Sequence, residues 1–351
     1  MKKGKIKFLI LIVTIMFISS GCTEFIKDGK QNVIYEETGQ TLTKNILCKP
    51  EDESIVELYK QHESKMDIKL SELPSCSEFK PSDIKYNGLW EAAFVKPLAW
   101  LILNIGNVVS NMGLAVMLVG LLIRVVLIPL SKKSTLQSEN MKKAKPEIAK
   151  IEKKYESLTK NAPENKLSEI TMAKSQETMM VYKKYGINPV SGCIVAFIQL
   201  PIFFAFLEAI NRVPAIFEDS LLGMRLGMTP LKGITEGQYI YIVLLLLIIG
   251  STYFSMKNAM AQGAGEAEKQ MAFMSKFMMI FIAIASLNLP TAIALYWTTT
   301  NVFQIVQNYI IKKLVAEKVE EEVEKKPKTT KSPKHLDKNV KSAKISKKRG
   351  N

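Results

Sequence analysis

Five long apolar runs, at residues 112–130, 190–210, 239–256, 273–289 and 291–311, constrain this chain more than any other feature. About 20 helical residues cross the roughly 30 Å hydrocarbon core of a bilayer, and each run is close to that length. Backbone groups in lipid must satisfy one another, so helices are the form such runs take. The sequence therefore predicts an all-α integral membrane protein with five transmembrane helices. Hydrophobic residues make up 47% of the chain, yet its net charge is +15. The charge must collect between and beyond the runs.

Where it collects orients the array. Segment 131–186 carries 13 Lys against 7 Glu, and the tail 312–351 carries 14 basic against 6 acidic residues. Residues 23–87 hold 13 acidic against 9 basic residues, and the connection 212–238 has no net charge. Lys and Arg close to spans stay on the cytoplasmic side. This puts 131–186 and the C-terminus in the cytoplasm and 23–87 outside, in a multi-pass protein of a bacterial cell membrane. An odd number of crossings must then precede residue 131. The stretch 89–109 is apolar but broken by Glu91, Lys96, Pro97, Asn104 and Gly106. With Trp90, Phe94 and Trp100 as anchors, it is expected to lie in the interface as an amphipathic helix, not to form a sixth span.

Lys2, Lys3, Lys5 and Lys7 precede the apolar residues 8–18, followed by Ser19-Ser20-Gly21-Cys22. This pattern reads as a cleaved signal peptide over 1–21. Small residues before a cysteine resemble the bacterial lipoprotein processing site, after which Cys22 carries lipid, palmitate included. An uncleaved anchor and a cut by ordinary signal peptidase are the alternatives. Residues 22–87 then read as a polar, loosely structured exported segment. Cys48 and Cys76 lie in it, where a disulfide is permitted. Closing that loop would stabilise by roughly 3–4 kcal/mol in the chain-entropy model, and the spacing allows the bridge without requiring it. Cys193 falls in an apolar run, where packing is the default.

The cytoplasmic segment 131–186 has the pattern of a helical hairpin. Ile148, Ile151, Tyr155 and Leu158 recur at helical spacing behind Pro146, which is placed near a helix start. A turn at 161–164 puts Pro163 in a first-turn position, and the second helix runs to Tyr185 and stops at Gly186. Met141, Met172, Met179 and Met180 give the hairpin an adaptable apolar surface, read as packing between its helices. Asn288, Leu289 and Pro290 make a tight turn between the last two spans. Beyond residue 312 a charged helix continues, and the Lys-, Ser- and Thr-rich remainder has the composition of disorder. A basic tail of this kind suits anionic lipid or ribosomal RNA phosphate; it contains no RNA-binding motif.

Three polar features lie inside the spans. Trp297, Thr300, Asn301, Gln304 and Asn308 fall on one face of the last helix. They predict a hydrophilic lining, with interhelical hydrogen bonding as the plainer explanation. Gln199 is followed by Leu200, Pro201, Phe203, Phe204 and Phe206; a proline beside a buried Gln frees backbone groups, which is tolerated where a helix lines a wet cavity. Arg124 sits within 112–130, where a guanidinium costs about 2.5–3.5 kcal/mol on insertion scales and cannot shed its proton. It either snorkels to the cytoplasmic interface or is a functional cation in a wet groove, and both readings stand at this level. Gly113 and Gly120 share its face, and Glu208 is read as an interface residue. No Asp or His lies in a span, no base accompanies the serines and threonines, and no Gly-rich phosphate loop occurs. There are no CxxC pairs, and His62 and His335 lie outside the runs. No enzyme activity, catalytic residue, metal site or cofactor is expected.

The segments NMGLAVMLVGLLIRVVLIPL, YKKYGINPVSGCIVAFIQLPIFFAF and LPTAIALYWTTTNVFQIVQNYI resemble, in order, the YidC-type membrane protein insertases, which include the mitochondrial Oxa and chloroplast Alb relatives. The resemblance covers about 88–312, and the signal peptide, Cys22 and five spans are similar to the Gram-positive form. It implies a groove open to cytoplasm and lipid and sealed outside. Arg124, Gln199 and Trp297 correspond to the family's groove residues. Leu200, Pro201, Phe203, Tyr296 and Trp297 would line the slide along which an apolar segment passes into lipid. Implied partners are nascent membrane proteins, the Sec translocon, and the ribosome and targeting factors that meet the hairpin and tail; a monomer is expected. A channel or transporter built on the same polar stripe is the competing function, although no inverted repeat of the transporter kind is found. Residues 23–87 depart from the resemblance. They are longer than Gram-positive relatives carry and unlike the large β-domain of Gram-negative ones.

Overall fold

A computed structural model describes residues 23–324 except 85, 87, 161, 189–190 and 261–265; side chains are not described at 191–198, 200, 258–260, 266–271, 274 and 315–324. The expected signal peptide, Cys22, the side chains of Cys193 and Leu200, and the tail after Glu324 lie outside the described residues. The chain divides into two units, 1–312 and Lys313–Asn351.

Residues 23–87, expected outside the cell, are more ordered than their composition suggests. Two short antiparallel hairpins, β1 (Lys27–Asp28) with β2 (Gln31–Asn32) and β3 (Ile34–Tyr35) with β4 (Gln40–Thr41), precede helix α1 (Glu53–Gln61). Asp52 starts α1 by accepting the N–H groups of Ser54 at 2.9 Å and Ile55 at 3.4 Å, satisfying donors a first turn leaves free. Ile26, Leu42, Ile46, Leu47, Ile55, Tyr59 and Phe79 are all buried. Cys48 and Cys76 form a disulfide with Cα atoms 4.9 Å apart. No helical or strand period runs through these buried positions, because they belong to short elements and loops. Their covering surface comes from far along the chain.

The helical array follows. A π-helical turn, Glu91–Val95, leads into α2 (Lys96–Val109), which ends at Ser110 in the left-handed region. Asn111 caps α3 (Met112–Val126) by accepting the Leu114 N–H at 2.9 Å. A bend of 61° at Leu127 separates α3 from α4 (Ile128–Lys160). Next come α5 (Glu164–Lys184), α6 (Ser191–Asn211), α7 (Pro214–Glu218), the β5–β6 hairpin (Ser220–Leu221 with Met224–Arg225), α8 (Pro230–Thr235), α9 (Ile240–Met260), α10 (Glu266–Asn288) and α11 (Thr291–Glu324). The last two meet across Leu289-Pro290, at the expected turn.

Three expectations change here. The helix expected to begin near Pro146 instead runs through it, from Ile128 to Lys160. An interior proline costs about 3 kcal/mol or more, which packing against α5 and α6 must offset. Pro163 precedes α5 as its cap and is not in the first turn. Among the described residues two helices, Glu91–Val109 and Ile240–Lys257, are long and apolar enough to cross a membrane, and the bent pair α3–α4 is a third. The stretch expected in the interface is thus itself of spanning length. Its Ala99, Ile102 and Leu103 are buried in the array. The run 291–311 is not among them, because its polar stripe lowers its mean hydropathy.

The α4–α5 pair has a defined end. Gly186 adopts φ +63°, and Ile187 donates to the Tyr182 carbonyl at 2.8 Å. This is the closing bond that follows a left-handed residue at a helix terminus. Ile187 then packs with Met141, Ala144, Ile148 and Val181 in a small core of its own. Exposed ion pairs Lys154–Glu177 and Lys184–Glu147 join the two helices at 2.6 and 2.8 Å.

Candidate functional site

Helices α3, α6 and α11 meet at Tyr296. A Cβ placed on Gly120 would stand 3.0 Å from the Tyr296 ring and 3.3 Å from the Thr300 methyl, so glycine is what lets α3 approach α11 this closely. On its other side Tyr296 stacks on Phe206 of α6, centroids 4.1 Å apart and planes at 14°. One residue on, Trp297 meets Phe203 edge to face at 5.0 Å. Tyr296, expected on a substrate slide, is buried between α3 and α6.

The ends of these helices give the site its direction. Met112 donates to Asp219 at 2.6 Å, the carbonyls of Asn211 and Arg212 accept from Thr43 and Leu47, and Thr291 is bonded to Met228. That is the capped end, and the other, where α4 and α5 pair, is the hairpin end. At 1.5 Å per residue, Arg124, Gln199 and Gln304 each stand roughly 18–20 Å from the capped end of their helix. All three lie on the hairpin side of the Tyr296 contact.

Arg124 is half-buried. Among the described residues no carboxylate forms an ion pair with it. Gln199, Pro201, Phe203, Trp297, Gln304 and Asn308 are all partly exposed. Thr300 and Asn301 are not. Thr300 donates to the carbonyl of Tyr296 at 2.9 Å, and Asn301 donates to the Thr252 hydroxyl of α9 at 3.0 Å. The five-residue stripe therefore divides. Its middle is used in helix–helix packing and bonding, and its flanks stay partly exposed.

A second polar cluster, at the capped end, was not anticipated. Arg212 is fully buried at the end of α6; it pairs with Glu91, donates through Nε to the Asn45 carbonyl at 2.7 Å, and lies over the Tyr86 ring at 4.8 Å. Glu208, one turn earlier, accepts from the Trp90 indole at 3.1 Å. Lys96 donates to the carbonyls of Ile84 and Tyr86. The available signal was the i, i+4 pair Glu208 and Arg212, set against Trp90, Glu91 and Lys96 in an otherwise apolar stretch.

Residues 104–318 match the family model described as 60Kd inner membrane protein. The chain is similar to Membrane protein insertase YidC 2 of Bacillus anthracis, 38% identical over 239 residues that cover 68% of this chain and 87% of the relative. It is 34% identical to Membrane protein insertase YidC of Oceanobacillus iheyensis, over 69% of this chain and 91% of the relative. It is also 35% identical to Membrane protein insertase MisCA of Bacillus subtilis, over 68% and 86%. The matched region contains α3, α6 and α11 complete to Lys312, and with them every residue around Tyr296. The chain belongs to the YidC family of membrane protein insertases.

Proposed function

We propose that the space on the hairpin side of the Tyr296 contact is a hydrophilic groove that receives nascent membrane proteins from the cytoplasm and releases them sideways into lipid. The observation that carries this reading is Arg124: a half-buried guanidinium within an apolar helix, with no carboxylate paired to it among the described residues. A cation so placed is costly unless water or a mobile anion answers it. A polar or acidic N-terminal region of a substrate would supply that anion transiently. Gln199 and Gln304 supply further polar edges at similar depth, with Trp297 about 9 Å from the capped end, while Pro201 and Phe203 mark the side facing lipid. Binding and release are driven by partition of the apolar segment, so no nucleotide, metal or cofactor is needed.

In this reading the hairpin end faces the cytoplasm, as its Lys-rich composition requires, and the capped end faces outside. The five spans of the sequence, a lipid on Cys22 and a cleaved signal peptide complete the topology. The hairpin and basic tail meet ribosome and targeting factors, with the Sec translocon as a lateral partner. The test is replacement of Arg124 by Ala and by Lys in cells depleted of the native protein. Lys should retain insertion of single-span substrates with acidic tails, and Ala should lose it. Undiminished insertion with Ala would overturn the electrostatic role.

A further inference from the structure

We propose that residues 23–87 are a disulfide-fastened plug that closes the outer end of the helix array, so that closure depends on a prior thiol oxidation outside the cell. The direction "outer" rests on the topology proposed above. The segment lies outside the family match, which begins at residue 104.

The bridge sits between two docking points. Next to Cys48, the Leu47 N–H donates to the Arg212 carbonyl at 2.7 Å, fixing this loop to the end of α6. Next to Cys76, the Ser77 carbonyl accepts from Asn107 of α2 at 3.2 Å. The Cys48–Cys76 bond thus ties a loop held by α6 to a turn held by α2, and Lys49 donates to the Pro74 carbonyl at 2.9 Å between them. Further bonds follow the whole rim. Thr43 donates to the Asn211 carbonyl at 2.9 Å, Thr229 donates to the Thr38 carbonyl at 3.0 Å, and Glu218 accepts the backbone of Glu51 and Asp52. The Arg212 guanidinium reaches from α6 to Asn45 of the plug and Glu91 of the α2 segment. These are contacts of a built part of the fold; a tethered tail would make few of them.

Burial sets the order of events. Cys48 is 0% and Cys76 2% exposed, so a thiol oxidant cannot reach either sulfur once the plug has docked. The bond must form first, by exchange with a disulfide-bearing oxidant. One cysteine thiolate attacks the oxidant's disulfide to give a mixed disulfide, and the second cysteine thiolate displaces it. The oxidant leaves as a dithiol, having taken up two electrons and two protons.

The test uses the full chain in intact cells, with Val213→Cys as the reporter. Val213 is fully buried beside Arg212, and label taken up by the parent chain is subtracted. A membrane-impermeant maleimide should leave the introduced thiol unlabelled while the native disulfide is present. With Cys48→Ser and Cys76→Ser added, labelling from outside should rise at least tenfold. Protection that persists without the bridge would overturn the fastening. Labelling with the bridge intact would overturn the plug. Labelling that appears only after the cytoplasmic side is opened would overturn the topology and leave the plug standing. In a second arm without the reporter, Arg212→Lys should speed reduction of the bond by dithiothreitol at least tenfold over the native chain, and an unchanged rate would sink the coupling.

Discussion

The two arginines of the helical core occupy opposite kinds of site. Arg212 at the capped end is fully buried, paired with Glu91, bonded to Asn45 and laid over Tyr86. Arg124 at the hairpin end is half-buried and unpaired among the described residues. Arg212 has its counter-charge, a carbonyl and a ring supplied by the fold, although its Nη2 finds no partner; it holds structure. A guanidinium lacking an internal counter-charge carries an unmet electrostatic demand, which in the proposed groove a substrate would meet. On that reading the same side chain does two jobs, and only the second is exchangeable during a working cycle.

The largest effect should come from testing that contrast directly. Arg212→Ala leaves the Glu91 carboxylate buried without its partner, and breaking a buried pair in this way costs about 3–5 kcal/mol. Arg124→Ala should leave thermal stability in detergent near the native value while insertion fails. If the two variants lost equal stability, Arg124 would be a structural residue and the comparison would collapse. Next in size is Gly120→Val. Its added carbons would press on the Tyr296 ring and the Thr300 methyl, and overpacking of this kind costs about 1–3 kcal/mol. An unchanged melting temperature would mean that α3 and α11 stand further apart than described.

A smaller effect separates the two halves of the polar stripe. Asn301→Leu removes the bond to Thr252, and interhelical bonds of this type average about 0.6 kcal/mol in membranes. Gln304→Leu, at a partly exposed position, should cost no stability yet slow insertion of polar-headed substrates. Reversed outcomes would move the groove lining from Gln304 to Asn301.

Much of the core was legible because its rules are local. Apolar runs of helical length, the Asn288-Leu289-Pro290 turn and the Gly186 stop each follow from a few neighbouring residues. The helix continuing through Pro146 was not legible, because its support comes from α5 and α6. Nor was the division of the stripe at Thr300 and Asn301. Helical spacing tells which residues share a face, and only the positions of Gly120 and Thr252 tell what that face meets. The plug was the least legible part. Ile26, Leu42 and Leu47 follow no period, and the polar groups that hold their segment in place, Asn211, Arg212, Glu218 and Thr229, lie some 170–190 residues further along the chain.

The smallest expected effect distinguishes the ends by the sign of their pH response. At the capped end burial raises the Glu218 carboxyl above its ordinary pKa, and the N–H groups of Glu51 and Asp52 only partly counter this. An acid raised on folding binds its proton more tightly in the folded state. Its contribution is complete below the unfolded pKa of about 4.3 and is lost as pH rises through the folded value. At the hairpin end the Lys184 ammonium lowers Glu147. There the contribution is complete above that same unfolded value and is lost as pH falls through the folded one. Hydrogen exchange, corrected for its intrinsic pH dependence, should therefore show opposite trends, the α4–α5 change below about pH 4.3 and the plug change above it. Plug amides near Glu51 should gain protection as the medium is acidified, while α4–α5 amides lose it. Glu218→Gln should flatten the first trend alone and Glu147→Gln the second alone. Parallel trends at both ends would show that one global opening, not two separately held ends, governs exchange.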